Sequence, residues 1–117
     1  MYVEYRKEKL RKQCEELKEA KKKLPTDIAI ALLKRIKFIK NAESLSDVIN
    51  NTSFHFHPLQ DNLEGKYAID IKSRKSPYRL IVVPKKQGKE IHNPDDVFTL
   101  ADTIEILLVM EVSKHYE

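Results

Sequence analysis

One cysteine, two glycines, no tryptophan and no long apolar run are found in this sequence, and each scarcity excludes something. Cys14 has no second thiol in the chain, so an internal disulfide is ruled out. No stretch approaches the roughly 18 consecutive apolar residues that a membrane-spanning helix needs, and the first residues lack the apolar run of a secretory signal. The expected location is therefore cytoplasmic, with no membrane partner, and the sequons at Asn50-Asn51-Thr52 and Asn51-Thr52-Ser53 carry no weight there. Internal repeats, low-complexity tracts and domain linkers are missing too. What is present is 117 residues, 41% hydrophobic and 34% charged, which suits a single domain (1–117) with one core beneath a heavily solvated surface.

The charge is uneven. Residues 66–93 carry eight Lys or Arg against two acids, Asp70 and Glu90, whereas residues 94–117 carry one Lys against six acids. A basic middle followed by an acidic tail suits a polyanion partner, because phosphate contacts supply much of nucleic-acid affinity. Ordinary surface lysine is the competing explanation.

Apolar spacing divides the chain into a helical half and a β half. Tyr2 to Tyr5 alternate briefly, as a short strand would. From Lys7 to Leu24, the residues Leu10, Cys14, Leu17, Ala20 and Leu24 form one stripe on an otherwise charged helix. Cys14 lies in that stripe, where a buried structural thiol is expected and nothing would lower its pKa. Pro25 should break the helix, with Thr26 or Asp27 capping a second that runs to about Lys40 on Ile28, Leu32, Ile36 and Ile39. Ser44-Leu45-Ser46-Asp47 starts one further turn.

The period then drops to two. Residues 66–72 place Tyr67, Ile69 and Ile71 on one face and Ala68, Asp70 and Lys72 on the other; residues 78–83 are β-branched and apolar on both. A hairpin with Arg74 and Lys75 at its tip should join them. Pro84 is expected to end the second strand, Lys85 to Thr103 to form a loop with a short helical turn near Val97, and Ile104 to Tyr116 to make a final strand.

The stretch "FHFHPLQDNLEG" at 54–65 holds two of the four histidines. On a strand His55 and His57 would share a face about 6.5 Å apart, but a metal needs three or four ligands, and the sequence places no acid cluster beside them. No metal is expected. The stretch reads as a strand ending at His57-Pro58 and a turn closed by Asp61-Asn62 and Gly65, with both histidines half-exposed.

Three ordered motifs carry a family resemblance: H-P-L-x-x-x-x-x-G-x-Y-A-I-D-I from His57, Y-R-L-I-V from Tyr78, and a terminal strand ending E-V-S-K-H-Y-E. Together they resemble the plasmid-maintenance killer proteins, the HigB-like branch of the RelE/ParE toxin superfamily, over nearly the whole chain. The resemblance implies an α+β, RelE-like fold, with two N-terminal helices packed on a mainly antiparallel sheet of about four to five strands. It implies a type II toxin that cleaves mRNA on the translating ribosome by attack of the RNA's own 2′-hydroxyl, with no metal and no cofactor. Such a protein must position the phosphate, move a proton and stabilise the developing charge.

Carried over by motif, Arg79 contacts the scissile phosphate with its fixed charge and bidentate fork, the alternative being a structural arginine paired with an acid such as Glu111 or Asp70; His115 is the general acid or base, and Tyr116 stacks on a base or donates a hydrogen bond. His57, before the same proline as in the family, would stand at the mouth of a basic groove. Gln60 departs from the family where many relatives carry a lysine, as do Ser113-Lys114 where some have Asp-Tyr. Lys66, Lys72 and Lys114 are candidates for the missing charge, and Arg74 and Lys75 complete the RNA-binding set. The implied partners are mRNA and the ribosome, a helix-turn-helix, HigA-like antitoxin encoded nearby, and operator DNA only through the antitoxin complex. Two other readings compete: a binding-only toxin of the same fold, acting on a protein such as gyrase or as corepressor, and a small basic RNA-binding module. The last lacks clustered sheet aromatics for base stacking.

Overall fold

A computed structural model describes residues 1–114. It is an α+β fold of five helices and a six-stranded mixed sheet. The strands are β1 (Tyr2–Tyr5), β2 (His57–Pro58), β3 (Tyr67–Asp70), β4 (Tyr78–Lys86), β5 (Lys89–Glu90) and β6 (Ile106–Lys114); the helices are α1 (Glu8–Glu15), α2 (Leu17–Lys21), α3 (Thr26–Asn41), α4 (Leu45–Asn50) and α5 (Pro94–Thr99). The order across the sheet is β1-β6-β4-β3-β2, with β5 beside the end of β4. Among the described residues only β1 and β6 pair in parallel.

The helical stripes bury as their spacing predicts, with one exception. Leu10, Cys14, Ala20 and Leu24 are buried together with Ile28, Leu32, Ile36 and Ile39, but Leu17 is exposed. The expected single helix is broken at Glu16, whose backbone is extended; its N–H still bonds Lys12 O and its C=O accepts from Ala20. In an unbroken helix Ala20 would lie about 120° around the axis from Cys14. The break lets both face the core and turns Leu17 out.

Alternation sorts the strands into two faces. Tyr67, Ile69, Leu80, Val82, Leu107 and Val109 pack with the helices in the main core, while Ala68, Ile81 and Val83 are buried on the opposite side. The β4–β6 register shifts between Ile81 and Val82, leaving Met110 without a partner. This bulge reverses the parity of β6, so Val112 follows Val109 toward the core and Ser113 comes beside Arg79.

Three expectations need correction. The sheet has six strands rather than four or five, and the helical part comprises more than two helices. Pro84 does not end its strand: β4 runs to Lys86, and Pro84 O accepts from Ile91 N. Proline's missing N–H lies on that same edge, beyond the point where β3 stops pairing at Val82, so the only ladder bond forgone is the reciprocal one to Ile91 at the short β5 edge. The expected strand through His55 is a 3-10 turn, Thr52–Phe54, capped by the Asn51 side chain, and the strand keeps only His57 and Pro58.

Candidate functional site

The open face of the sheet holds a cavity of about 580 Å³, lined in part by His55, His57, Gln60, Arg74, Arg79 and Ser113. Each wall has a local cause. The 3-10 turn ends on His55 in left-handed conformation (φ 47°), unusual for a residue with a Cβ, and this brings its ring back over that of His57, 4.3 Å between centroids. His57 pairs with Ala68, fixing the histidine pair against β3. Gly65, at φ +90°, turns the chain into β3, and a Cβ there would lie 3.0 Å from His92 Nδ1.

Behind the histidines lies Asp70, fully buried, and Arg79, 8% exposed, opposite one another on β3 and β4. Arg79 Nε is 3.0 Å from Asp70 Oδ1, and His55 Nδ1 is 3.5 Å from Asp70 Oδ2. The Arg79 guanidinium is largely spent on its own hairpin: Nη1 donates to the carbonyls of Ser76 and Tyr78, and Nη2 to that of Arg74. Three of its five N–H groups are used in this way and Nε–H is turned to Asp70, which leaves one Nη2 N–H. The bidentate grip on a phosphate inferred from the motif is therefore not available in this conformation, and the residue holds the hairpin closed. Its fixed charge still faces the cavity.

His57 Nδ1 lies 2.6 Å from the His55 carbonyl oxygen. A carbonyl only accepts, so Nδ1 carries a proton, and in the neutral ring it is Nε2 that has the lone pair. His55 is the site residue that sequence reasoning leaves as a half-exposed strand residue. Of the two acids that could pair with a structural Arg79, Asp70 is the one that does so; only the pairing of β2 with β3 and β4 joins it to His55. The alternation at 67–71 was the available signal, since it put a carboxylate on the face opposite the core.

The other expected site residues divide. Arg74 lines the cavity, and Lys75 is exposed on the same hairpin. Lys72, left-handed at φ 75°, extends its ammonium to Asp27 (2.6 Å), and Lys114 lies 5.9 Å from the Tyr78 ring centroid. Lys66 is half-buried after Gly65, outside the cavity lining, and Gln60 is in it. His115 and Tyr116 lie outside the described residues. No protein-family model, curated protein or solved structure matches the chain.

Proposed function

We propose that the chain is a ribosome-dependent endoribonuclease toxin of the HigB-like kind, cutting mRNA by attack of the 2′-hydroxyl on the adjacent phosphate. The observation that carries this reading is the pair of imidazoles at the cavity, one backed by a buried carboxylate and both next to fixed cationic charge. Histidine exchanges protons at neutral pH, and this chemistry needs one proton taken and one given. His57 Nε2 takes the 2′-hydroxyl proton. The 2′-oxygen bonds to phosphorus, and the bond to the 5′-oxygen breaks. His55, in its protonated form, returns a proton to that oxygen, leaving a cyclic phosphate and a 5′-hydroxyl. Arg74 and the remaining Arg79 N–H face the charge that builds on the phosphate. A helix-turn-helix antitoxin would hold the toxin inactive and link it to operator DNA.

A binding-only toxin is the second reading, favoured by Arg79 being committed to its hairpin and by Gln60 where a cation would serve. Inducing the protein without its neighbour and mapping new 5′ ends on abundant mRNAs separates the two. Cleavage within translated codons, lost in His57→Ala, is the expected result. Loss in His115→Ala with cleavage intact in His57→Ala would move the chemistry to His115. Growth arrest with intact mRNA would replace the nuclease with the binding-only toxin.

A further inference from the structure

We propose that His55, His57 and Asp70 form a binding site for a divalent transition metal of the zinc class, a property that stands whether or not the protein cuts RNA. One donor atom from each residue lies within 4.8 Å of the others. His55 Nδ1 and Asp70 Oδ2 are 3.5 Å apart, close to the roughly 3.3–3.5 Å between two donors on one tetrahedral zinc. His57 must draw in, and as a half-exposed side chain at a strand edge it has room to do so.

Two further observations support a metal at this place. Two of the three donors, His57 and Asp70, already have the outer partner that such sites use to orient their ligands. His57 Nδ1 bonds the His55 carbonyl at 2.6 Å, leaving Nε2 to coordinate, and Arg79 Nε sits 3.0 Å from Asp70 Oδ1, leaving Oδ2. The second observation is the carboxylate itself. Arg79 contacts it off the hydrogen-bonding line, so neither oxygen of this fully buried group accepts a hydrogen bond among the described residues. A buried carboxylate that is ion-paired with Arg79 yet accepts no hydrogen bond has acceptor capacity to spare, and a bound cation on Oδ2 would use it.

The donor set selects the ion. Two imidazoles and one carboxylate suit zinc, cobalt, nickel or copper, whereas magnesium and calcium require more oxygen ligands. Three protein donors leave a fourth position open to the cavity. A metal held there would occupy both imidazoles and so prevent them from moving protons; on the nuclease reading, zinc is an inhibitor.

Cobalt titration of the purified full chain tests the site. One equivalent should produce the visible absorption of tetrahedral Co²⁺, which zinc removes and excess magnesium leaves. His55→Ala and His57→Ala should each weaken binding by more than about a hundredfold, since disturbing even an outer partner costs about ten- to a hundredfold. Matching circular dichroism and melting without metal would show that both variants fold. His92→Ala controls for the surface pair of His92 and Glu90, 3.2 Å apart, and should bind like the parent chain. No cobalt band, a band that survives in His57→Ala, or one lost in His92→Ala would overturn the proposal. RNA cleavage assayed separately in excess chelator keeps the fate of the nuclease reading distinct.

Discussion

The two faces of this sheet are built from the same strands, residue by residue in alternation, yet they differ in kind. Toward the helices, Tyr67, Ile69, Leu80, Val82, Leu107 and Val109 pack into one apolar core. On the other side Ala68 and Ile81 floor a cavity lined by Arg79 and two histidines, with Asp70 buried behind them and paired to Arg79. The difference is one of tolerance. A dry face bears change in proportion to the volume lost, whereas a face with a buried charge depends on each charge keeping its partner.

The largest stability effect should therefore come from the open face. Asp70→Ala leaves Arg79 buried without its counter-charge, and breaking such a pair costs about 3–5 kcal/mol, read by chemical denaturation. A variant that also replaces Arg79 by Met should lose less than the two single changes combined, because no orphan charge remains. A cost below about 1 kcal/mol for Asp70→Ala would mean that water reaches the pair and would erase the contrast between the faces. Next comes the core: Leu80→Ala, on the same strand with the opposite orientation, should cost about 2–5 kcal/mol through lost burial and a cavity, with no dependence on salt.

The helix side also contains a titratable group, Cys14. Burial, with a lesser contribution from the charge of Glu15, pushes its thiol from 9.0 up to about 12. The thiol should resist iodoacetamide at neutral pH until the chain unfolds, and rapid labelling of the native protein would show that the α1 side is not closed. For stability, a raised folded pKa of an acid means no effect while both states keep the proton. Between 9.0 and about 12 the unfolded chain ionises first, so stability from this group falls as pH rises.

Periodicity made much of the fold legible. The stripes of α1 and α3, the alternation of β3 and the apolar run of β6 follow from which residues must be buried. The break at Glu16 and the bulge at Met110 were not legible, because no proline or glycine marks either; both resolve how distant elements fit together. Asn93-Pro94-Asp95-Asp96 read as loop although it is a helix start, with the Asn93 side chain accepting from two backbone N–H groups and Pro94 in the first turn. The site was legible in its parts only. His57 was singled out by the proline after it, and the hairpin cations by their position. His55 and Asp70 are 15 residues apart, and their meeting depends on strand pairing that spacing does not encode.

The smallest stability effect distinguishes two cations that the sequence treated alike. Lys72 and Arg74 both belong to the basic segment, but Lys72 is tied to Asp27 at the surface, where an exposed ion pair contributes little. Lys72→Ala should leave the denaturation midpoint nearly unchanged. Arg74 lines the cavity, and among the described residues only its backbone carbonyl is used, by Arg79. If this face meets RNA, Arg74→Ala should weaken binding to a short single-stranded RNA and flatten its salt dependence, by roughly one phosphate contact. Lys72→Ala should change neither. Equal losses from both would mean that charge in the basic segment acts in bulk, and that the cavity does not select which phosphate is held.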